Sequence, residues 1–483
     1  MKYKIFIWGV GILARIYIEN NYFTDNCEIL GFIDNSKAHK LPPLSAPIYT
    51  PDEFVEADLE YDYIIIANKF STEIKNQCEK LKFDLKRIVF VFNVYFNPEY
   101  TIINEEQNFN EVRNISLKLY DDMDNSFLNE TTEEDKTFIS FLSYDGKKYD
   151  DSPRVIYEKM LNDERFKCYE FLWGFIDPEK YDIPKGLKLN PFSLKYQYYN
   201  LKVKCCITNS SNGIGFEDKK DIIYFNTWHG IPIKKMGEDV GNAEFSGTVS
   251  TPDVMCAQGK YDAEILARLT RMNRCNVLIT GLPRNDILVN HKNLKEGIIK
   301  KLLLPKDKKL ILYCPTFRDV EISGSGYSIK PPLDFKKWEE KIGKDYIVLF
   351  RAHYNISEIY DVEFNNFVFN FSDYQCLNDL MIASDILVSD YSSVYFDYSI
   401  MGKPVLCFAY DYDKYVEYRG LYIDVRKDLP CEIAYEEDTL LQQILNLDYD
   451  KMEKQTIEFR DDYIESFGNA TDICIDKIWD MIK

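Results

Sequence analysis

Residues 386–406 read ILVSDYSSVYFDYSIMGKPVL, and the order of residue types in this stretch decides the fold class. Ile386 to Val388 is a short apolar, β-branched run of the kind that forms a buried strand. Asp390-Tyr391-Ser392-Ser393 follows as a polar turn, a helix comes next, and Pro404 to Phe408 begins another strand. Strand, turn, helix, strand is the repeating unit of an α/β protein with a parallel sheet. Ser392 or Ser393 is placed to cap the helix, whose free N–H groups and positive dipole end attract phosphate. Asp and Ser are also ordinary caps of helices that bind nothing, so this stretch alone does not assign a ligand.

Working outward, the same alternation recurs. Leu310–Tyr313 and Tyr346–Phe350 precede it as strands. An earlier series comprises Phe138–Leu142, Lys204–Thr208, Ile222–Phe225 and Val277–Thr280. The two series flank a lysine-rich hinge near 290–308, which predicts two doubly wound domains, 137–290 and 291–483, facing one another with the ligand in the cleft between them. Ahead of them, a strand at Lys4–Trp8 runs into Gly9, Gly11 and Ala14, then a helix over 15–20 and a strand at Ile29–Ile33 ending on Asp34. This is the G-x-G-x-x-A dinucleotide fingerprint with its acid. Strands at Tyr63–Ala67 and Ile88–Phe92 complete a small Rossmann-like domain over 1–97, and an Asn-, Asp- and Glu-rich linker over 98–136 joins it to the rest.

The chain has 483 residues, too many for one core, and its 59 basic and 79 acidic residues leave a net charge of −20. That balance argues against a general nucleic-acid binder, which must neutralise phosphates along a broad surface. It leaves room for a phosphate ligand in a local basic pocket. Twelve cysteines without a C-x-x-C pair, the adjacent Cys205-Cys206 lying in a strand, point to a reduced, cytoplasmic protein. The amino terminus lacks the order of a signal peptide, and no apolar run is long enough to span a bilayer.

Of the four histidines, His229 and His353 follow strand patterns, in NTWHGIPIKKMG (226–237) and VLFRAHY (348–354), and can meet across a cleft. No third residue of suitable spacing accompanies either one, so no metal is expected. Thr316, Arg318 and Asp319 follow the strand at 310–313, and Arg351 follows the one at 346–350. Arginines, hydroxyls and a helix start converging on the strand ends of one sheet are what holding a diphosphate requires.

NTWHGIPIKKMG, GLPRND (281–286), YCPTFRD (313–319), FRAHY (350–354), SDILVSDYSSVYFDYSIMGKPVLCFAYD (384–411) and YRGLYID (418–424) occur in this order. In these motifs the chain resembles the CDP-glycerol glycerophosphotransferases, the teichoic-acid and capsule polymerase type, over roughly 137–475. The resemblance implies a GT-B-like pair of facing domains and a metal-independent reaction without cofactor. An acceptor hydroxyl would attack the β-phosphate of a CDP-alditol, transferring alditol phosphate and releasing CMP. It implies His229 as general base and His353 as stabiliser of the phosphate or leaving group. Arg318, Arg351 and Arg419 would neutralise the diphosphate, Thr316, Ser392 and Ser393 would hydrogen-bond it, and Asp390 and Asp397 would orient hydroxyls or histidines. Gly230 and Pro232 would shape the turn beside Trp228 and His229, with Lys234 and Lys235 meeting the anionic donor or acceptor. His353 is followed by Tyr354-Asn355, where the family commonly continues His-Pro.

The expected partners are CDP-glycerol or CDP-ribitol and an anionic polymer acceptor on a lipid carrier, with peripheral contact at the inner face of the cell membrane. Residues 292–309, KNLKEGIIKKLLLPKDKK, are the candidate contact, with a solvated helix in the interdomain connection as the reading that the charge pattern favours over it. Two readings concern the first 97 residues: a nucleotide site on Gly9, Gly11, Ala14 and Asp34, or docking to a polysaccharide-assembly partner. A NAD-dependent oxidoreductase or epimerase is the competing class. Its Tyr-x-x-x-Lys pair occurs at Tyr410 and Lys414, far from the fingerprint, in a chain of 36 tyrosines.

Overall fold

The computed structural model describes residues 3–10, 14, 27–35, 46–66, 71–84, 87–90, 137–191, 196, 199–200, 202–210, 222–240, 251–316, 318, 322–323, 326–329, 331–352 and 356–483. Gly11, the helix expected over 15–20, the linker over 98–136, Asp319 and His353-Tyr354-Asn355 lie outside these residues.

The first sheet contains β1 (Tyr3–Trp8), β2 (Cys27–Ile33), β3 (Ile48–Tyr49), β4 (Tyr63–Ile66) and β5 (Ile88–Phe90), all parallel in the order β3-β2-β1-β4-β5. This is the doubly wound order, with its switch point between β1 and β4. Phe6, Trp8, Ile33, Ile64 and Ile66 pack on Phe54 of helix α1 (Pro51–Glu56) and Ile74 of α2 (Ser71–Lys80). Gly9 has φ 111° and donates its N–H to the Ile33 carbonyl, a turn that only glycine makes without strain. The next N–H, of Val10, donates to Asp34 Oδ2 at 3.0 Å.

The second sheet holds β6 (Thr137–Leu142), β7 (Tyr169–Gly174), β8 (Leu187–Leu189), β9 (Val203–Thr208), β10 (Ile223–Asn226), β11 (Val254–Ala257) and β12 (Val277–Ile279), ordered β12-β11-β10-β9-β6-β7-β8. Cys205 and Cys206 lie buried in β9. The third sheet is built from β13 (Lys309–Cys314), β16 (Tyr346–Phe350), β18 (Val368–Asn370), β19 (Ile386–Ser389), β20 (Val405–Phe408) and β21 (Ile433–Ala434), ordered β18-β16-β13-β19-β20-β21. A small sheet of β14 (Ile322–Ser323), β15 (Gly326–Ile329) and β17 (Ile356–Ile359) accompanies it. Central strands such as β13, β16 and β19 are covered on both faces, which is why they read as continuous apolar runs instead of alternating ones.

The helices used below are α3 (Asp151–Met160), α4 (Lys260–Leu269), α5 (His291–Lys301), α6 (Leu377–Ala383), α7 (Val394–Ser399) and α8 (Ala470–Ile482). Helix α5 occupies the lysine-rich hinge. Two of its four lysines, Lys295 and Lys301, pair with Asp385 and Asp379, and the following Lys306 pairs with Glu296. Lys309 lies over the Tyr449 ring. The interdomain-helix reading of 292–309 accounts for these contacts. Among the described residues, no helix is long and apolar enough to cross a membrane.

One boundary needs correction. The sequence pattern puts residues 470–482 with the second half, but the apolar face of α8 packs Cys474, Ile475, Ile478 and Ile482 into the core of the first half, with Phe141, Trp173 and Phe225. Asp472 and Asp476 reinforce the placement by pairing with Lys159 and Arg165. Conversely, Ile231 and Ile233, from the loop after β10, are buried in the core of the second half. Each half therefore lends a segment to the other.

Candidate functional site

Parallel strands deliver their carboxyl ends to a common edge, and the first half uses three neighbours to do so. β9 leads into Asn209, β6 leads into the loop 143–151, and β10 leads into Trp228-His229-Gly230. These loops hold a concentration of unusual backbone: Tyr144, Asp145, Asp151 and Trp228 have φ of 46°, 56°, 65° and 55°. Such conformations cost about 1–3 kcal/mol each and persist only where surrounding contacts enforce them.

The enforcing contacts centre on Asn209 and His229. Asn209 Oδ1 accepts the Tyr144 N–H at 2.8 Å, and its carbonyl oxygen lies 2.5 Å from His229 Nδ1. A carbonyl only accepts, so in the neutral imidazole the proton sits on Nδ1 and Nε2 keeps its lone pair. Burial holds the His229 pKa below its ordinary value, with the Asn209 carbonyl and the carboxylates of Asp151 and Asp145 opposing that effect and Arg284 adding to it. The ring is therefore a neutral base at neutral pH, flanked by Trp228 at 4.3 Å and Tyr144 at 6.1 Å.

Across the cleft, β13, β16, β19 and β20 present Thr316, Arg351, Ser392-Ser393 and, beyond the helix after β20, Arg419. Thr316, at 5% exposure, has a buried Oγ1 with no hydrogen-bond partner among the described residues. An orphaned buried hydroxyl is worth about 1–3 kcal/mol to a ligand that satisfies it. Arg351 Nη1 donates to the carbonyls of Phe371, Ser372 and Tyr374, which fixes its guanidinium at the cleft wall. Ser392 Oγ accepts the Val394 N–H at 3.3 Å, a local turn bond, while the N-cap residue is Ser393, whose side chain makes no capping hydrogen bond, so the expected side-chain cap does not form. Helix α7 spans only six residues, which leaves anion recognition to individual hydroxyl and N–H groups more than to a helix dipole. Trp228, Gly230, Lys234 and Asp397 complete the expected residues that line the cleft, an open space of about 1420 Å³.

Three expected residues stand elsewhere. Arg318 is buried and turned away from the cleft, donating through Nε and Nη2 to Asp411 and through Nη1 to Asp390 and the Thr316 carbonyl. It sits 5.1–5.3 Å from the ring centroids of Tyr391, Tyr410 and Tyr415. Asp390 is correspondingly used up by Arg318 and the N–H groups of Thr316 and Tyr391. Both brace the loops that carry Thr316 and Ser392. Lys235 lays its stem against Gly420 and donates its N–H to the Gly420 carbonyl, tying the two halves together. In the first sheet, Gly9 and Asp34 fall together at the ends of β1 and β2, with Asp34 closing the glycine turn, and Ala14 is buried.

The sequence reading missed four residues. Lys148 and Asp150 line the cleft from the loop 143–151. Burial, with Arg351 adding repulsion, pulls the Lys148 ammonium down to about 8. Burial and neighbouring Asp151 push the Asp150 carboxyl up to about 6. Asp151 and Arg284 form a buried ion pair behind His229. The motif GLPRND contains Arg284, yet nothing in its spacing marks it as reaching the base.

Two parallel α/β halves facing each other across a cleft lined by Arg351 and Arg419, with a strand-end histidine on one side, define a GT-B-like fold. The family model for CDP-Glycerol:Poly(glycerophosphate) glycerophosphotransferase matches residues 126–479, and the chain belongs to that family. A separate model, C2185-like, N-terminal, matches residues 1–89. The chain is 34% identical over 370 residues to a teichoic acid poly(glycerol phosphate) polymerase of Staphylococcus epidermidis, covering 71% of this chain and 51% of that protein. It is 32% identical to a teichoic acid glycerol-phosphate transferase of Staphylococcus aureus, over 70% of this chain and 90% of that one. The chain thus spans about half the length of the first of these relatives. A histidine-to-alanine variant of the wall teichoic acid polymerase TagF superposes with a TM-score of 0.65 at 31% identity, covering 78% of this chain and 95% of the chain in that structure. A TagF variant soaked with CDPG superposes equally well, at 0.65 and 30% identity, over the same 78% and 95%.

Proposed function

We propose that this protein transfers glycerol phosphate from CDP-glycerol to a terminal hydroxyl of a growing teichoic-acid-type polymer and releases CMP. The observation that carries the reading is the pairing of His229 Nδ1 with the Asn209 carbonyl, which leaves Nε2 as a neutral base on the wall of a cleft whose far side offers Thr316, Arg351 and Arg419. His229 takes the proton of the acceptor hydroxyl as its oxygen bonds to the β-phosphorus. The bond from that phosphorus to the oxygen bridging the two phosphates breaks, and CMP departs with that oxygen. Arg351 and Arg419 offset charge on the donor diphosphate, Thr316, Ser392 and Ser393 hydrogen-bond it, and Lys148 and Lys234 meet phosphate from the first half. His353 keeps the role that the resemblance gives it, stabilising the leaving group. CDP-ribitol is the alternative donor within the same chemistry. The acceptor on its lipid carrier would bring the protein to the inner face of the membrane, and residues 1–97 act as a docking module whose Asp34 shapes a turn. Incubation with CDP-glycerol and a phosphorylated primer, with CMP release followed, is the test. No CMP from either CDP-alditol would overturn the reading.

A further inference from the structure

Arg284 occupies an unusual junction. Its Nη1 donates to Asp151 Oδ2, with Tyr144 Oη at 3.4 Å, and its Nη2 donates to the His229 carbonyl at 2.8 Å and to Asp397 Oδ2 at 2.7 Å. Asp151 opens α3 in the first half, and Asp397 lies on α7 in the second. One guanidinium therefore holds both halves and the peptide of the base. The remaining oxygens are also occupied. Asp151 Oδ1 accepts the Ser152 N–H, and Asp397 Oδ1 accepts Asn285 Nδ2 at 2.6 Å and Gln258 Nε2 at 3.3 Å. Both carboxylate side chains are 2% exposed and that of Arg284 is 10% exposed. Buried ion pairs of this kind contribute little net stability relative to apolar packing, because desolvation offsets the Coulomb attraction; their better-attested use is to specify one arrangement. A planar fork with donors in fixed directions is suited to such a role, and a lysine ammonium is not.

We propose that Arg284 is a positioning residue which sets the His229 peptide, and with it the ring, only when Asp397 of the opposing half is in place, so that alignment of the base depends on the apposition of the two halves. The inference rests on the phosphotransfer reading for its kinetic consequence, but not for its structural one. Of the charged groups around His229, Asp151 and Asp145 favour the protonated ring and Arg284 opposes it, while Lys148, Asp150, Lys234, Arg351, Asp397 and Arg419 line the same cleft. Removing the guanidinium takes away the charge that opposes protonation of the ring, so the His229 titration is expected to move upward.

The test compares wild type with Arg284→Gln and Arg284→Lys in the full chain. NMR titration of the histidine rings, with His229 assigned by its loss in His229→Asn, reads the effect without any substrate. Arg284→Gln should raise the His229 midpoint by about 0.5–1 unit while Arg284→Lys stays near wild type. In CMP release, both variants should lose kcat by about tenfold or more, with KM for the donor changed less than about threefold. Asp397→Asn should reproduce the kcat loss without moving the His229 midpoint. An unmoved midpoint in a folded Arg284→Gln protein, or an effect confined to KM, overturns the proposal. Absence of CMP release from wild type overturns the functional reading and leaves the NMR result standing.

Discussion

A Cβ placed on Gly230 would stand 2.7 Å from Ser393 Oγ and 3.0 Å from Ser393 Cβ, so the residue after the base and the residue before helix α7 meet across the cleft without room for a methyl group. Gly230 also has φ 140°, outside the range of other residues. Gly230→Ala is expected to lower kcat by about a hundredfold, since small misplacements of a reacting group have effects of that size. Adding Ser393→Gly should recover part of the loss by restoring space, but not all of it, because the backbone strain remains. CMP release by the single and double variants decides the point.

His229 supplies a second prediction. His229→Ala should reduce kcat by about 10²–10⁴-fold, the usual contribution of a positioned base. Because burial depresses the His229 pKa, the ring loses its proton at a lower pH than an exposed histidine does. The acidic limb of the kcat/KM profile should therefore lie below pH ~6.5. An acidic limb clearly above that value would contradict the environment described for the ring.

Lys148 should shape the other side of that profile. Its ammonium, held down to about 8, is charged below that pH and neutral above it, so phosphate binding through it weakens as pH rises through about 8. An arginine at this position would stay charged throughout. Lys148→Arg is thus expected to remove or displace an alkaline limb near pH ~8, and Lys148→Met to raise KM by about tenfold at neutral pH. Steady-state kinetics from mildly acidic to alkaline pH tests both.

Arg318 separates bracing from binding. Arg318→Met would strand Asp390 and Asp411 without their shared counter-charge, a loss of about 3–5 kcal/mol for a buried pair broken on one side. Thermal unfolding should register this directly. A variant of unchanged stability with a raised donor KM would instead place the guanidinium at the diphosphate.

How much of this was legible in the sequence follows from the range of the interactions. The strand-end rule finds His229, Thr316, Arg351 and Ser392 because each lies within a few residues of an apolar run that a single strand explains. Strand β11, Val-Met-Cys-Ala, escaped because it is short and has only one β-branched residue. The loop Ser143 to Asp151 reads as a polar turn, since positive φ at tyrosine and aspartate leaves no signature in residue type. Arg318 looked like a phosphate ligand because its partner Asp411 lies 93 residues away, and Arg284 went unnoticed because Asp151 and Asp397 are 133 and 113 residues distant. Pairing over such separations depends on how the two halves meet, which no local pattern encodes.

The exchange of segments between the halves bears on how the chain can be divided. Helix α8 completes the core around Phe141 and Trp173, and Ile231 and Ile233 complete the core around β13 and β19. A single cut in the 291–308 connection would leave each piece with an apolar face exposed and a foreign segment attached. The two halves are interlocked parts that must mature together, and a circular permutant joining α8 to the start of β6 would keep the first core's pieces contiguous where simple truncation would not.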